Sequence, residues 1–417
     1  YILKVLQEAL KRDPSIIKNI DLSVSRLLTA KYRLGLFETM AKTYPDKLVS
    51  KPESQAVSLK IAKKAIVLLK NENNLLPLDA KKIKSIAIIG PNAAENRSAN
   101  GKFPLLGGYT GVAPYYISVL KGITDKVGNE VTVNYAKGCD LSSSSKTGFE
   151  EAIAAAQKSD VVVLAVGGST EDCGEGVDVA DLDLRGVQNE LVEAIQKTGK
   201  PIVVVLINGR PLSINFIAEK IPSILETWYL GMKSGEAIAD VIFGDYNPGG
   251  KLTVSFPRSV GQIPVTYLEK PDFVGQGKGL YKFTDKTPLF AFGQGMSYTT
   301  FEYKNLKLAK QTIKAGEKTI VSVVVTNTGK RDGEEIVQMY VRDDFASVGR
   351  YNKMLKGFER VALKAGESKT VEFELNFDNL SLYNQEMKKV VEPGDFTISV
   401  GASSLIKDLK TIKLTVQ

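Results

Sequence analysis

Val161-Val162-Val163-Leu164-Ala165-Val166, running into Gly167-Gly168, is the stretch on which the fold turns. Six apolar residues in succession, with no alternation, require a strand buried on both faces. Ile202–Ile207 repeats the pattern, and Ser85–Ile89, Val131–Tyr135 and Ser223–Thr227 are shorter versions of it. Between them, apolar residues recur at helical spacing over Ile117–Val127, Glu150–Gln157, Val187–Gln196, Leu212–Glu219 and Gly235–Phe243, the last ending at Gly244. Buried strands alternating with helices predict a mostly parallel sheet between two helix layers, a three-layer α/β/α sandwich.

Upstream, residues 1–37 read as helical. Asp13-Pro14 offers an N-cap followed by proline at the first helical position, Asp21 a second N-cap, and Gly35 a left-handed stop. Ile17, Ile20, Val24, Leu27 and Leu28 make one apolar face with no partner nearby in sequence. Residues 38–55, with Pro45 and Pro52, read as a linker. Gln55–Leu69 reads as a further amphipathic helix, broken by Asn71, Asn73, Asn74 and Pro77.

Downstream, residues 265–300 form a connector rich in glycine and aromatics. From Phe301 the period becomes two. Ile320–Val325, Ile336–Val341, Val371–Leu375 and Phe396–Val400 are strands parted by turns such as Pro393-Gly394-Asp395. An antiparallel β-sandwich without helices is expected there. The division is thus 55–264 for the α/β unit and 301–417 for the β unit, two independent folded units joined by 265–300.

The 417 residues suit two or three domains, and 43% apolar with 24% charged residues is a globular composition. No apolar run reaches the roughly 18 residues of a membrane span. The net charge of +8 is scattered, and its longest cluster, Lys81-Lys82-Ile83-Lys84, is interrupted, so it reads as solvated surface rather than a nucleic-acid footprint. The chain has no histidine. It can therefore build no Ser-His-Asp triad, Cys-His dyad or histidine-ligated metal site, which leaves carboxylates as the acid/base groups. Starting at Tyr1 without an initiator Met, it reads as a fragment or processed chain.

The segment that invites chemistry is Gly167-Gly168-Ser169-Thr170-Glu171-Asp172-Cys173-Gly174-Glu175-Gly176-Val177-Asp178. It follows a buried strand, where open α/β sheets present functional loops. Four carboxylates within eight residues raise one another's pKa by repulsion, as a general acid needs; a plain solvated acidic loop is the other reading. Gly275-Gln276-Gly277-Lys278-Gly279 follows no strand and lacks dinucleotide-loop spacing. Gly90-Pro91-Asn92-Ala93 is either a strand-end turn or a ligand contact. Trp228 and Tyr229 read as core packing, with a sugar platform as the alternative. Cys139 and Cys173 each follow a strand that could be a sheet neighbour, so a disulfide between them is expected in an oxidising compartment.

Several further stretches then fall in one familiar order. They are Ala65-Ile66-Val67-Leu68-Leu69-Lys70-Asn71-Glu72-Asn73-Asn74-Leu75-Leu76-Pro77-Leu78, Ile86–Ala93, Asn208-Gly209-Arg210-Pro211-Leu212, Gly244-Asp245-Tyr246-Asn247-Pro248-Gly249-Gly250-Lys251-Leu252, Phe292-Gly293-Gln294-Gly295-Met296-Ser297-Tyr298 and Leu355-Lys356-Gly357-Phe358-Glu359-Arg360-Val361. Nearly end to end, this resembles the part of family 3 glycoside hydrolases that follows the catalytic barrel. The resemblance implies an N-terminal (β/α)8 barrel with an Asp nucleophile, then the α/β sandwich, then a fibronectin type III-like domain. On that basis residues 1–54 are the end of the barrel, which Asp21–Phe37 resembles, and a linker. The family's Ser-Asp-Trp nucleophile motif is absent, for the only tryptophan, Trp228, follows Thr227.

The resemblance also implies a Glu-Gly-x-Asp acid/base motif, which Glu175-Gly176-Val177-Asp178 fits, so Glu175 is the candidate acid/base and Glu171 the runner-up. Val179 stands where relatives often carry Arg, and Gln294 where they usually carry His, which is expected to alter packing of the connector. The implied function is retaining, exo-acting hydrolysis of β-glucosides or β-xylosides without cofactor or metal. The implied partners are a carbohydrate substrate and the barrel, with self-association open, no nucleic acid and a periplasmic or secreted setting favoured. The isolated chain is expected to be inactive. A non-catalytic carbohydrate-binding or interaction module is the competing class. A nucleotide-binding domain is disfavoured, since no phosphate-cradling loop is present.

Overall fold

The computed structural model describes residues 2–38, 51–95, 103–270 and 285–417. They divide into two compact units, Tyr1–Gln55 and Ala56–Gln417. The glycine run at 275–279 lies outside the described residues, as does most of the expected linker. Among the described residues no helix is long and apolar enough to cross a membrane.

In the first unit, α1 (Ile2–Arg12) and α2 (Ile17–Arg33) are joined by a 3-10 turn, Pro14–Ile16. The Asp13 carboxylate accepts from the Ser15 N–H at 2.9 Å and caps that turn, with Pro14 just inside it. The turn already starts the helix, so Asp21 lies within α2 and caps nothing. Gly35, at φ 67, is left-handed as expected.

The expected helix over Gln55–Leu69 is instead α3 (Pro52–Ala65) followed by a strand, β1 (Val67–Asn71). Ile66 and Val67 are β-branched and Leu68 is apolar, and β1 pairs antiparallel with the far edge of a sheet, which overrides the helical period. Next come β2 (Ser85–Ile89), α4 (Val119–Val127), β3 (Thr132–Ala136), α5 (Phe149–Gln157), β4 (Val161–Gly167), α6 (Gln188–Gln196), β5 (Ile202–Ile207), α7 (Asn215–Lys220), β6 (Ser223–Glu226) and α8 (Ser234–Ile242). Helix α7 starts later than its periodicity suggests, because Leu212 and Ile214 enter the core on irregular backbone ahead of it.

The sheet order is β1-β6-β5-β4-β2-β3, parallel except for β1. Alternate side chains feed two cores. Val162, Leu164 and Val166 join residues of α5, α6 and α7 on one face, while Val161, Val163 and Ala165 join those of α4 and α8 on the other. The chain runs outward in one direction from β2 to β3 and in the other from β4 through β5 to β6. The switch point therefore lies between β2 and β4, where the crevice beyond the strand ends is open to a ligand.

The remaining strands are β7 (Phe301–Leu308), β8 (Thr312–Ile313), β9 (Thr319–Asn327), β10 (Gly333–Asp343), β11 (Met354–Leu363), β12 (Ser368–Leu375), β13 (Leu382–Tyr383), β14 (Lys389–Val390), β15 (Gly394–Gly401) and β16 (Leu409–Val416). Sheets β11-β10-β15-β16-β8 and β12-β9-β7 enclose a core that includes Val323, Val337, Phe396 and Leu414. Two short helical turns, α9 (Phe377–Leu380) and the 3-10 turn Ile406–Asp408, interrupt the expected all-strand pattern; at the first, Asn376 and Asn379 form a reciprocal capping box. Of the expected connector, Phe290 is buried in the α/β core and Met296 bridges to Leu68. The Gln294 side chain closes its own turn by accepting from the Ala291 N–H at 2.9 Å.

The α/β layer and the β-sandwich meet through buried charge. Lys251, just past the α/β sheet, pairs with Glu335 on β10 at 3.1 Å, and both side chains are nearly inaccessible. Lys251 also donates to the Gly295 carbonyl at 2.8 Å, and the Tyr303 hydroxyl donates to Glu335 at 2.9 Å. Breaking such a pair leaves a buried charge uncompensated. Lys251→Met is expected to cost about 3–5 kcal/mol, read as a lower urea or thermal midpoint. Adding Glu335→Gln, which removes the charge but keeps an acceptor for Tyr303, should recover most of the loss.

Candidate functional site

Strand β4 ends on Gly167, and its last peptide is held from the side. The buried Gln188 amide accepts from the Gly167 N–H and donates to the Gly167 carbonyl, both at 2.9 Å. From the end of β2, the buried Asn92 amide donates to the Gly168 carbonyl at 3.0 Å. The Gly90–Ala93 turn is thus a brace for the neighbouring strand end. The loop that follows stands over the switch point.

Its first half is folded onto itself. The Ser169 N–H donates to Asp172 Oδ1 at 2.9 Å, and the Glu171 N–H donates to Ser169 Oγ at 3.1 Å. The Asp172 carboxylate is thereby turned toward backbone. The Tyr229 hydroxyl donates to the Ser169 carbonyl at 3.0 Å. Tyr229 packs against one core and Trp228 against the other, where its ring lies 6.1 Å from that of Phe256, so neither is a free platform.

The second half is a tight turn. The Val177 N–H donates to the Gly174 carbonyl at 3.2 Å. Glu175 takes the second position and Gly176, at φ 71, the third, as a type II turn requires. Glu175 is therefore exposed at the tip. Among the described residues neither its carboxylate nor that of Glu171, also exposed, makes a hydrogen bond or ion pair. Arg210, beyond β5, donates through Nη2 to the Asp172 carbonyl and, at 3.3 Å, to the Val177 carbonyl. Gly209 brings the loop close, since a Cβ there would overlap Cys173 Sγ.

Beside the loop lies a cleft of about 120 Å³ whose lining includes Gly168, Asp172, Asp183, Asn208 and Arg210. Burial, reinforced by Asp181, raises the Asp183 carboxyl above its ordinary value. Neither Glu171 nor Glu175 lines this cleft; both belong to the outer face of the loop.

Residues 66–298 match the glycosyl hydrolase family 3 C-terminal domain, and residues 335–404 match a fibronectin type III-like domain. The chain belongs to glycosyl hydrolase family 3. It is 63% identical over 419 residues to a beta-xylosidase of Formosa agariphila, covering 100% of this chain and 58% of that protein. It is 38% identical to the periplasmic beta-glucosidase of Salmonella typhimurium, covering 97% of this chain and 56% of that one. The chain thus spans little more than half the length of these relatives. Among solved structures, the beta-glucosidase from Listeria innocua in complex with glucose superposes with a TM-score of 0.89 at 35% identity, over 98% of this chain and 56% of that one.

Two features of this family member depart from expectation or escaped it. Cys139 and Cys173 are both free thiols. Strand β2 lies between β3 and β4. The Cys173 segment packs between Gly108, from the stretch after β2, and Gly209, beyond β5, with its sulfur turned toward Gly209, while Cys139 is buried in the core on the β3 side. The second is Glu226, the last residue of β6, fully buried where an apolar residue would be expected. Its only trace in sequence is an acid closing an apolar strand. It accepts from the Trp228 N–H at 2.8 Å and from the Asn208 amide at 3.3 Å.

Burial pushes the Glu226 carboxyl from an ordinary 4.5 up to about 8, against the hydrogen bonds from Trp228 and Asn208 that favour its charge. At acid pH both folded and unfolded chains hold the proton. As pH rises above 4.5 the unfolded chain releases it and the folded chain keeps it, so this group lowers stability until about pH 8 and by a constant amount beyond. The slope is at most about 1.4 kcal/mol per pH unit. Relative to wild type, Glu226→Gln should therefore gain stability steadily in urea unfolding between roughly pH 5 and pH 8. A difference that does not change with pH would mean that the carboxyl is ionised in the fold.

Proposed function

We propose that this chain is the C-terminal part of a retaining, exo-acting β-xylosidase or β-glucosidase. In this reading Glu175 is the acid/base group, Glu171 the runner-up, and the Asp nucleophile sits on a barrel that these described residues do not contain. The observation that carries it is the turn Gly174–Val177. It holds a carboxylate with no partner among the described residues at an exposed tip above the switch point, free to meet a sugar held on another domain. The names of the relatives, one a beta-xylosidase and one a beta-glucosidase, support the two sugar classes.

Retention is a double displacement. The nucleophile attacks the anomeric carbon while Glu175 gives its proton to the departing glycosidic oxygen. The Glu175 carboxylate then takes a proton from the water that attacks the same carbon and releases the nucleophile. The two carboxyl groups must stand about 5–5.5 Å apart, so the tip must reach across to the barrel. A tight turn does this with little freedom to lose.

In an enzyme carrying this chain together with its barrel, Glu175→Gln should lower turnover of aryl xylosides or glucosides with poor leaving groups by about 10²–10⁴. Substrates with activated leaving groups should suffer far less in bond cleavage. Azide, as a small anion needing no base, should partly restore release and give a glycosyl azide of retained configuration. If Glu171→Gln shows this pattern and Glu175→Gln does not, the role belongs to Glu171. If neither does, this loop is not the acid/base element.

A further inference from the structure

Arg210 does something that its sequence neighbours do not suggest. A single guanidinium nitrogen, Nη2, donates to the carbonyls of Asp172 and Val177. These two carbonyls bracket the stretch Cys173-Gly174-Glu175-Gly176. Among the described residues Arg210 has no carboxylate partner: its charge is spent on main-chain oxygens, in a half-buried position with its Nε unbonded. A guanidinium is seldom kept out of water without a counter-ion unless its fixed fork is needed in one place.

Arg210 is itself held. Its own carbonyl accepts from the Asn208 amide at 2.7 Å. That amide nitrogen also reaches Glu226 Oε2 at 3.3 Å, and Glu226 Oε1 is fixed by the Trp228 N–H. Pro211 follows and narrows the backbone choices of Arg210. The series therefore runs from a fully buried carboxyl at the end of β6, through Asn208 after β5, to the loop after β4. Each member belongs to a different strand end, and the last contact is on both flanks of Glu175.

We infer that Arg210 is a positioning residue: it clamps the two ends of the Asp172–Val177 segment and so fixes where the carboxylate at its tip points. This rests on Glu175 being the acid/base group. Without the clamp, the turn is closed by its own Val177-to-Gly174 hydrogen bond, and the tip can drift. A misplacement of about 1 Å at a reacting group costs on the order of 10²-fold in rate. Arg210 acts through the loop, not on the substrate, so for poor leaving groups, where cleavage limits turnover, its loss should fall on kcat and leave KM nearly unchanged.

The test uses two variants. Arg210→Met keeps the apolar stem and removes every donor, whereas Arg210→Lys restores a donor at a shorter reach. In residues 1–417, hydrogen exchange of the amides from Glu171 to Val177 should speed up about tenfold or more in Arg210→Met, with β4 and β5 amides unchanged. In the barrel-containing enzyme, Arg210→Met should lower kcat/KM, which reports bond cleavage, for poor leaving groups by about 10–10² and for activated ones much less, and Arg210→Lys should lie between it and wild type. Loop exchange and leaving-group dependence both unchanged in Arg210→Met would overturn the proposal. Should Arg210→Met not fold, Arg210→Lys decides by the same measurements. Glu175→Gln is run alongside. If it shows leaving-group dependence and the Arg210 variants do not, Arg210 alone is misassigned. If Glu175→Gln shows none, the acid/base reading fails and the clamp's purpose fails with it.

Discussion

The structure depends on a sheet that has no solvent side. Every residue of β4 and β5 is buried, half against one helix layer and half against the other. Such strands can carry no exposed polar side chain along their length, so whatever chemistry the sheet supports must be placed where strands end. Here the carboxyl ends of β2, β4, β5 and β6 gather Asn92, the acidic loop, Arg210 and Glu226 into one polar layer capping an apolar block. Even the backbone at the rim needs partners brought from elsewhere, as Gln188 shows by satisfying both groups of Gly167.

The same constraint explains what was legible in the sequence. The runs at Val161 and Ile202 declared themselves because two-sided burial removes all alternation. Glu175 could be named only through the Glu-Gly-x-Asp motif that the family resemblance supplies. Composition alone marks the loop as acidic and leaves its role open, while the turn that exposes the residue is local, closed within four residues around Gly176. Strand β1 was hidden, since it follows α3 with no glycine or proline between and is recruited by pairing with the distant β6. Strand β11 was hidden because Lys356, Gly357, Glu359 and Arg360 break its apolar alternation, and much of it is only half-buried. The Cys139–Cys173 pairing failed for a related reason: strand order in space is not strand order in the chain, and β2 stands where adjacency was assumed. Arg210, Asn208 and Glu226 were unreadable because their meaning lies wholly in which strand ends are neighbours.

Charge has a second use where the α/β layer meets the β-sandwich. Lys251–Glu335 is nearly inaccessible, and Glu334 beside it draws on Lys64 at 3.1 Å and Arg360 at 2.9 Å. Apolar contact would tolerate sliding; a buried ion pair does not, because any shift leaves two charges without partners. The contact is therefore specified in register as well as held together.

The two thiols, unbonded, sit in very different surroundings. Cys139 is sealed in the core, where burial, with Asp140 nearby, drives its thiol up to about 11. Cys173 is half-exposed, in the very segment that carries Glu175, with its sulfur pressed toward Gly209. The molecule thus contains its own pair of clocks. A thiol reagent meets Cys139 only when the sheet itself comes apart, but meets Cys173 whenever the acidic loop lifts from the strand ends, so the ratio of the two modification rates separates breathing of the loop from melting of the domain.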